Sequence, residues 1–140
     1  MPADTSTFAT LFSYSDWSNR VLSERAAKLS TEQLDRPLDI GRGSLRLNLM
    51  HTLVGETVWL VRWKETPNVP WPDEHQGLSP QQILERFEHV WNERDEFLAP
   101  LTPYRLARVQ TYRDSKGSLF TATLEDMILQ GFLHTKHHQA

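Results

Sequence analysis

Apolar residues Phe8, Leu11, Phe12, Leu22, Ala26 and Leu29 recur at intervals that keep one side of a helix apolar, with Ser15, Ser18 and Asn19 as small or polar gaps. The pattern predicts a long amphipathic helix over residues 6–29. Ser30 followed by Gln33 has the form of a capping box and opens a short helical turn, which Pro37 ends. After a loop at Gly41 to Ser44, with Ser44 as N-cap, Leu47, Met50, Leu53, Val54, Thr57, Val58 and Val61 trace the face of a second helix, residues 45–64.

Pro67, Pro70, Pro72 and Gly77 exclude regular structure over residues 65–78, which reads as a crossover loop. Ser79, Pro80 and Gln82 then supply an N-cap, a first-turn proline and the third residue of a capping box. Ile83, Phe87, Val90, Trp91 and Leu98 continue as a third helix, closed at Ala99 and Pro100. Residues 106–112 and 118–122 have strand character around the turn-prone Asp114 to Gly117, which predicts a short hairpin. Thr123 caps a fourth helix whose inward stripe is Leu124, Met127, Ile128 and Gly131. Four helices with one apolar face each bury those faces against one another. The expected fold is therefore all-α: a four-helix bundle with a long crossover between its second and third helices, spanning residues 1–140 as one domain.

Composition narrows the chemistry. With 24% charged residues and a net charge of −3, the chain lacks the basic excess of a nucleic-acid surface. No apolar run approaches the roughly 20 residues of a membrane helix, and residues 1–6 lack the basic and apolar regions of a signal peptide. The expected location is the cytoplasm. The absence of cysteine excludes disulfides, protein thiolate nucleophiles and Cys-ligated metal sites. Any metal must be held by nitrogen and oxygen.

Six histidines are the remaining candidates: His51, His75, His89, His134, His137 and His138. His75, in the crossover, and His89, on the third helix, read as solvated surface residues. Projected from the inward face of the fourth helix, His138 falls roughly 30° from its centre, His134 roughly 70° and His137 roughly 130°. His134 and His138, one turn apart, share the inward side, while His137 turns to solvent or a partner. Such a pair can grip one ion; it also suits a helix end, where histidines favour the negative pole of the dipole. His51 projects to the edge of the second helix's apolar face, a position that permits it as a third ligand without demanding it.

Several segments carry a resemblance. Tyr14, Asp16, Trp17, Asn19 and Arg20 lie in helix one. Gly43 to Leu45 leads into Met50, His51, Gly55, Glu56 and Trp59 in helix two. Leu133, His134, His137, His138 and Gln139 lie in the last helix. Together and in this order they resemble the DinB/YfiT-like family of four-helix-bundle metalloproteins, over nearly the whole chain. The resemblance implies a divalent metal on His51, His134 and His138, with zinc or nickel the best match to imidazole and iron or manganese as further possibilities. Three imidazoles leave positions open for water or substrate.

By the same resemblance the expected activity is transfer of a low-molecular-weight thiol, or hydrolysis, acting on a small electrophilic molecule. A non-catalytic, stress-associated metal-binding protein is the alternative. A homodimer is compatible with the resemblance, and an exposed apolar bundle face would support it. Asp16, Trp17 and Asn19 are read either as lining the site or, more plainly, as packing for Trp17 and exposed or capping polarity for the other two. Glu56 lies about 140° round the helix from His51 and is not placed as a ligand. Glu125 belongs to the first turn of the last helix, where a carboxylate favours the dipole whatever the chemistry. No general base is assigned. Trp59, Trp63, Trp71 and Trp91 are read as packing residues, with a pocket wall as the other reading. Relatives usually continue the last helix beyond its second histidine, whereas only Gln139 and Ala140 follow His138. Either the natural chain runs on or tertiary contacts hold the last ligand.

Overall fold

Side-chain caps set where the helices begin. In the computed structural model, which describes residues 4–66 and 69–140, the bundle helices are α1 (Thr5–Ala26), α3 (Leu45–Trp63), α4 (Pro80–Leu98) and α6 (Leu124–Gln139). Pro67 of the crossover and residues 1–3, read above for a leader, lie outside the described residues. Asp4, Ser44 and Thr123 each accept a hydrogen bond from the backbone N–H three residues on. Ser30 and Ser79 complete the two predicted capping boxes, opening α2 (Thr31–Asp35) and α4. A short α5 (Pro103–Ala107), not anticipated, starts at the Thr102 cap. The hairpin is β1 (Val109–Arg113) paired antiparallel with β2 (Leu119–Thr123), Tyr112 opposite Phe120.

Helix one ends three residues earlier than the pattern predicts, and Leu29 is exposed beyond it. Its buried line is Phe8, Phe12, Ser15, Asn19, Ser23 and Ala26. The residues read as gaps, Ser15 and Asn19, therefore belong to the inward stripe, and Trp17 is 59% exposed rather than packed.

Around the bundle the neighbours run α1, α4, α3, α6, so α1 and α3 face each other diagonally. Asp16 and Arg20 meet Arg94 and Glu88, which makes α1 and α4 antiparallel. Phe12 meets Phe132 and Ser15 meets Gln139, so α1 and α6 run parallel. His51 meets His138 and Trp63 meets Met127, so α3 and α6 are antiparallel. It follows that α3 and α4 point the same way, and the chain between them must return the length of a helix, about 28 Å. That geometry is why the crossover is long, and it carries residues 69–78 back to the level of His51.

Two apolar clusters fill the bundle. Phe8, Phe12, Trp59, Trp63, Leu98, Leu124, Met127 and Ile128 form one end, beneath the hairpin, and Leu34, Leu49, Met50, Leu53, Ile83, Phe87 and Trp91 form the other. Gly131 lets α6 lie directly on Trp59 and Trp63, for a Cβ there would come within 2.8 Å of the Trp63 ring.

Candidate metal centre

His51 lies largely buried on α3, and residues from two other segments, α6 and the crossover, converge on its ring. Across from it on antiparallel α6, the ring centroids of His134 and His138 stand 5.2 and 4.4 Å away, and 4.8 Å from each other. One nitrogen from each ring can be chosen so that all three lie within 4.8 Å of one another. The structure thus brings together the three histidines expected as ligands. It keeps His75 and His89 away from them, His89 being exposed and paired with Glu93. His137 is exposed, touching only the edge of His138 within the cluster.

The crossover supplies two residues to the site: Glu74, which the sequence reading did not place, and Trp71, for which a pocket wall was the second reading. Glu74, only 6% exposed, accepts from His51 Nδ1 at 2.5 Å and from the Trp71 indole N–H at 2.8 Å, and its other oxygen meets Arg42 at 3.2 Å. Burial alone would raise the Glu74 pKa, but these bonds and the Arg42 charge outweigh it and hold the carboxyl below its ordinary value. An ionised carboxylate only accepts, so the His51 proton sits on Nδ1 and Nε2 is left as a donor to an ion. Trp71 lies against the His51 ring, centroids 5.5 Å apart, so it walls the site while Trp59, Trp63 and Trp91 pack the core.

The α6 histidines are kept neutral. Burial, reinforced by His138 and His51, pushes His134 down to about 4, and burial lowers His138 as well. His134 Nδ1 is buried with no hydrogen-bond partner. Neutral imidazoles, one orphaned ring nitrogen and a carboxylate orienting the third ring fit a divalent cation. No ordinary hydrogen-bonded histidine cluster requires this combination.

Room for the His134 ring comes from Gly55 on α3, where an added Cβ would stand 2.5 Å from His134 Cε1 and 2.7 Å from Nδ1. A mid-helix glycine costs about 1 kcal/mol against alanine, so this one is retained for space. Gly55→Ala is therefore expected to weaken metal binding at least about tenfold, as the loss of a ligand's support does, despite the better helix former. Isothermal titration with zinc checks this, and unchanged affinity would show that the ring has another seat.

Between the two apolar clusters lies a polar layer. Asp16 forms a two-pronged pair with Arg94 at 2.7 and 2.6 Å. Glu56 sits 3.9 Å from Arg94 and accepts from Asn19 Nδ2 at 2.9 Å, across the α1–α3 diagonal. The exposed or capping roles read for Asp16 and Asn19 are thereby corrected: α1 turns both towards the bundle, and Asn19 is 1% exposed. Full burial, opposed by Arg94, pushes Glu56 up to about 8. The folded protein then holds a proton that an unfolded chain releases near 4.5. Stability should fall as pH rises through the window between those values and up to about 8. Glu56→Gln does not titrate, so the denaturation midpoint of wild type is expected to decline relative to this variant between pH 5 and 8. Comparing the two cancels the histidine contributions, and parallel profiles would refute the assignment.

Beside His138 opens a cavity of about 500 Å³, lined by Leu22, Leu38, Leu45, Leu49 and Thr52 among others. None of the residues that line it is an aspartate, glutamate, lysine or arginine.

Comparison with known proteins agrees with this architecture. YfiT from Bacillus subtilis, described as a probable metal-dependent hydrolase with an unusual four-helix bundle topology, superposes with a TM-score of 0.72 at 19% identity. The match covers 99% of this chain and 85% of YfiT. No match was found among curated proteins. The family model of the DinB superfamily matches residues 15–140, from the middle of α1 through all three histidines. The chain belongs to the DinB superfamily.

Proposed function

We propose that the protein is a metal-dependent enzyme in which His51, His134 and His138 hold one divalent ion, zinc or nickel before iron or manganese. The observation that carries this reading is the meeting of three imidazole nitrogens within 4.8 Å, without a carboxylate or fourth histidine in the group. An ion held by three neutral rings supplies Lewis acidity, lowering the pKa of a water or a thiol at neutral pH. Glu74 orients His51, and Trp71 covers it.

The substrate would enter the cavity beside His138, whose walls carry no aspartate, glutamate, lysine or arginine side chain and so favour a small electrophile with a mainly apolar body. In the transferase form, a low-molecular-weight thiol gives up its proton, its sulfur bonds to the electrophilic carbon, and the leaving group departs with the electron pair. In the hydrolytic form, for which the description of YfiT is support, water takes the place of the thiol. In this reading residues 1–140 act as one domain in the cytoplasm, and Tyr14 and Trp17, exposed side by side on α1, offer an apolar face for a homodimer.

Untagged protein should carry close to one equivalent of metal. The loaded protein should also consume a thiol together with a neutral alkyl halide or epoxide, or hydrolyse a neutral ester. Stoichiometric metal with no turnover of either kind would favour the metal-binding role without catalysis. No metal uptake would end the proposal.

A further inference from the structure

The second α6 ligand reaches across the α3–α6 seam. His138 precedes Gln139 on α6, and its ring stands 4.4 Å from that of His51. Something must hold the α6 backbone at that place.

The side chain next to it does so. Gln139 Nε2 donates to Asn19 Oδ1 at 2.7 Å and to the Ser15 carbonyl at 3.2 Å, while its Oε1 accepts from Lys136. Asn19 is buried, and its other end donates to Glu56. The result is a hydrogen-bonded chain from α3 through α1 to the end of α6: Glu56, Asn19, Gln139. Because α1 and α6 run parallel, the chain reaches α6 at the very turn that carries His138. Burial of an amide is costly unless both ends are bonded, and here each bond reaches a different helix.

Resting on the metal reading above, we infer that Asn19 is a positioning residue for His138, acting through Gln139, and that this clasp rather than helix propensity fixes the third ligand. Asn19 also lines the cavity beside His138, but in this role it acts on the ligand only through Gln139. The inference accounts for a polar residue on the inward stripe of α1 and for a buried carboxyl on α3 that faces away from the histidines.

The test uses cobalt(II), whose visible spectrum reports the number and arrangement of its ligands. Gln139→Ala removes the clasp from the surface side without touching the core, and Asn19→Leu removes it from within. Both are expected to bind cobalt 10- to 100-fold more weakly, the usual loss when a ligand's supporting partner is removed, with the bands shifted towards a two-imidazole site. The double variant should be no weaker than the worse single one, because the two residues act through one bond. In metal-free protein, hydrogen exchange over the last turn of α6 should accelerate about fivefold, the factor one lost hydrogen bond carries. Leu133→Ala, exposed on α6 and outside the clasp, should leave affinity and spectrum alone. Wild-type affinity and spectrum in both Gln139→Ala and Asn19→Leu would overturn the inference while the metal reading stands. A wild-type protein that takes up no cobalt would overturn the metal reading and this inference with it.

Discussion

Replacing His134 by alanine is expected to abolish stoichiometric binding of a divalent ion, with affinity falling by more than about 100-fold, since removing even an outer partner of a ligand costs 10- to 100-fold. Two imidazoles would remain, one on α3 and one in the terminal turn of α6. The fold should survive, because His134 Nδ1 makes no hydrogen bond that alanine would break. A ligand present at 100 times its Kd stabilises the native state by about 2.7 kcal/mol. Wild type should therefore melt higher when metal is added, and His134→Ala should not. The metal-free proteins provide a second check. His134 is depressed from 6.5 to about 4, so between those values the unfolded chain binds the proton that the folded chain refuses. That stability is present above 6.5 and is lost as pH falls towards 4. His134→Ala should lose less stability than wild type over that acid window when a chelator is present. Equal metal content in variant and wild type would remove His134 from the site.

Helix period was enough to separate His134 and His138 from His137, because one element sets all three directions. For His51 periodicity gave only an edge position. What turned that edge into a meeting point is the antiparallel packing of α3 on α6, a relation between distant segments that the resemblance, rather than the pattern, pointed to. Glu74 was not legible at all, and Trp71 only as one of four tryptophans that packing or a pocket wall would explain. Both lie in a proline-rich segment without periodicity, and they reach His51 only because α3 and α4 point the same way and the chain has to travel back. Gly55 was a local clue to close approach beside His51: a glycine in a helix interior, one turn beyond it.

Asn19 and Glu56 show a different limit. Each was weighed against its own helix, and Glu56 was set aside because it points away from His51. It does point away, towards α1 and α4, where Asn19 and Arg94 receive it. In a bundle whose first two long helices stand diagonally, the polar residues of both meet at the centre. An apolar stripe interrupted by Ser15 and Asn19 was the visible trace of that meeting, and both were read as gaps. Trp17 fills no such gap; it faces outward.

The same polar layer carries the second large effect. Arg94→Met is expected to destabilise the protein by about 3–5 kcal/mol, the range for removing one partner of a buried ion pair, or roughly 10 °C in melting temperature. The Arg94 side chain is 4% exposed and holds both oxygens of Asp16. Its guanidinium also lies 4.5 Å over the Phe12 ring and within 3.9 Å of Glu56. Methionine fills much of the volume, so the loss would come from the stranded charge of Asp16 and not from a cavity. Arg94→Lys should recover only part of it, because an ammonium cannot match a carboxylate with two parallel bonds. Asp16→Leu added to Arg94→Met should recover more, since exchanging both partners for apolar side chains is often close to neutral. This ordering separates a buried pair from the exposed Arg20–Glu88 bridge on the same two helices, where both side chains are more than 40% accessible and removal should cost under about 1 kcal/mol. Urea denaturation of wild type, these three variants and Glu88→Gln measures it, and an Arg94→Met loss no greater than that of the exposed bridge would show that the layer does not hold α1 to α4.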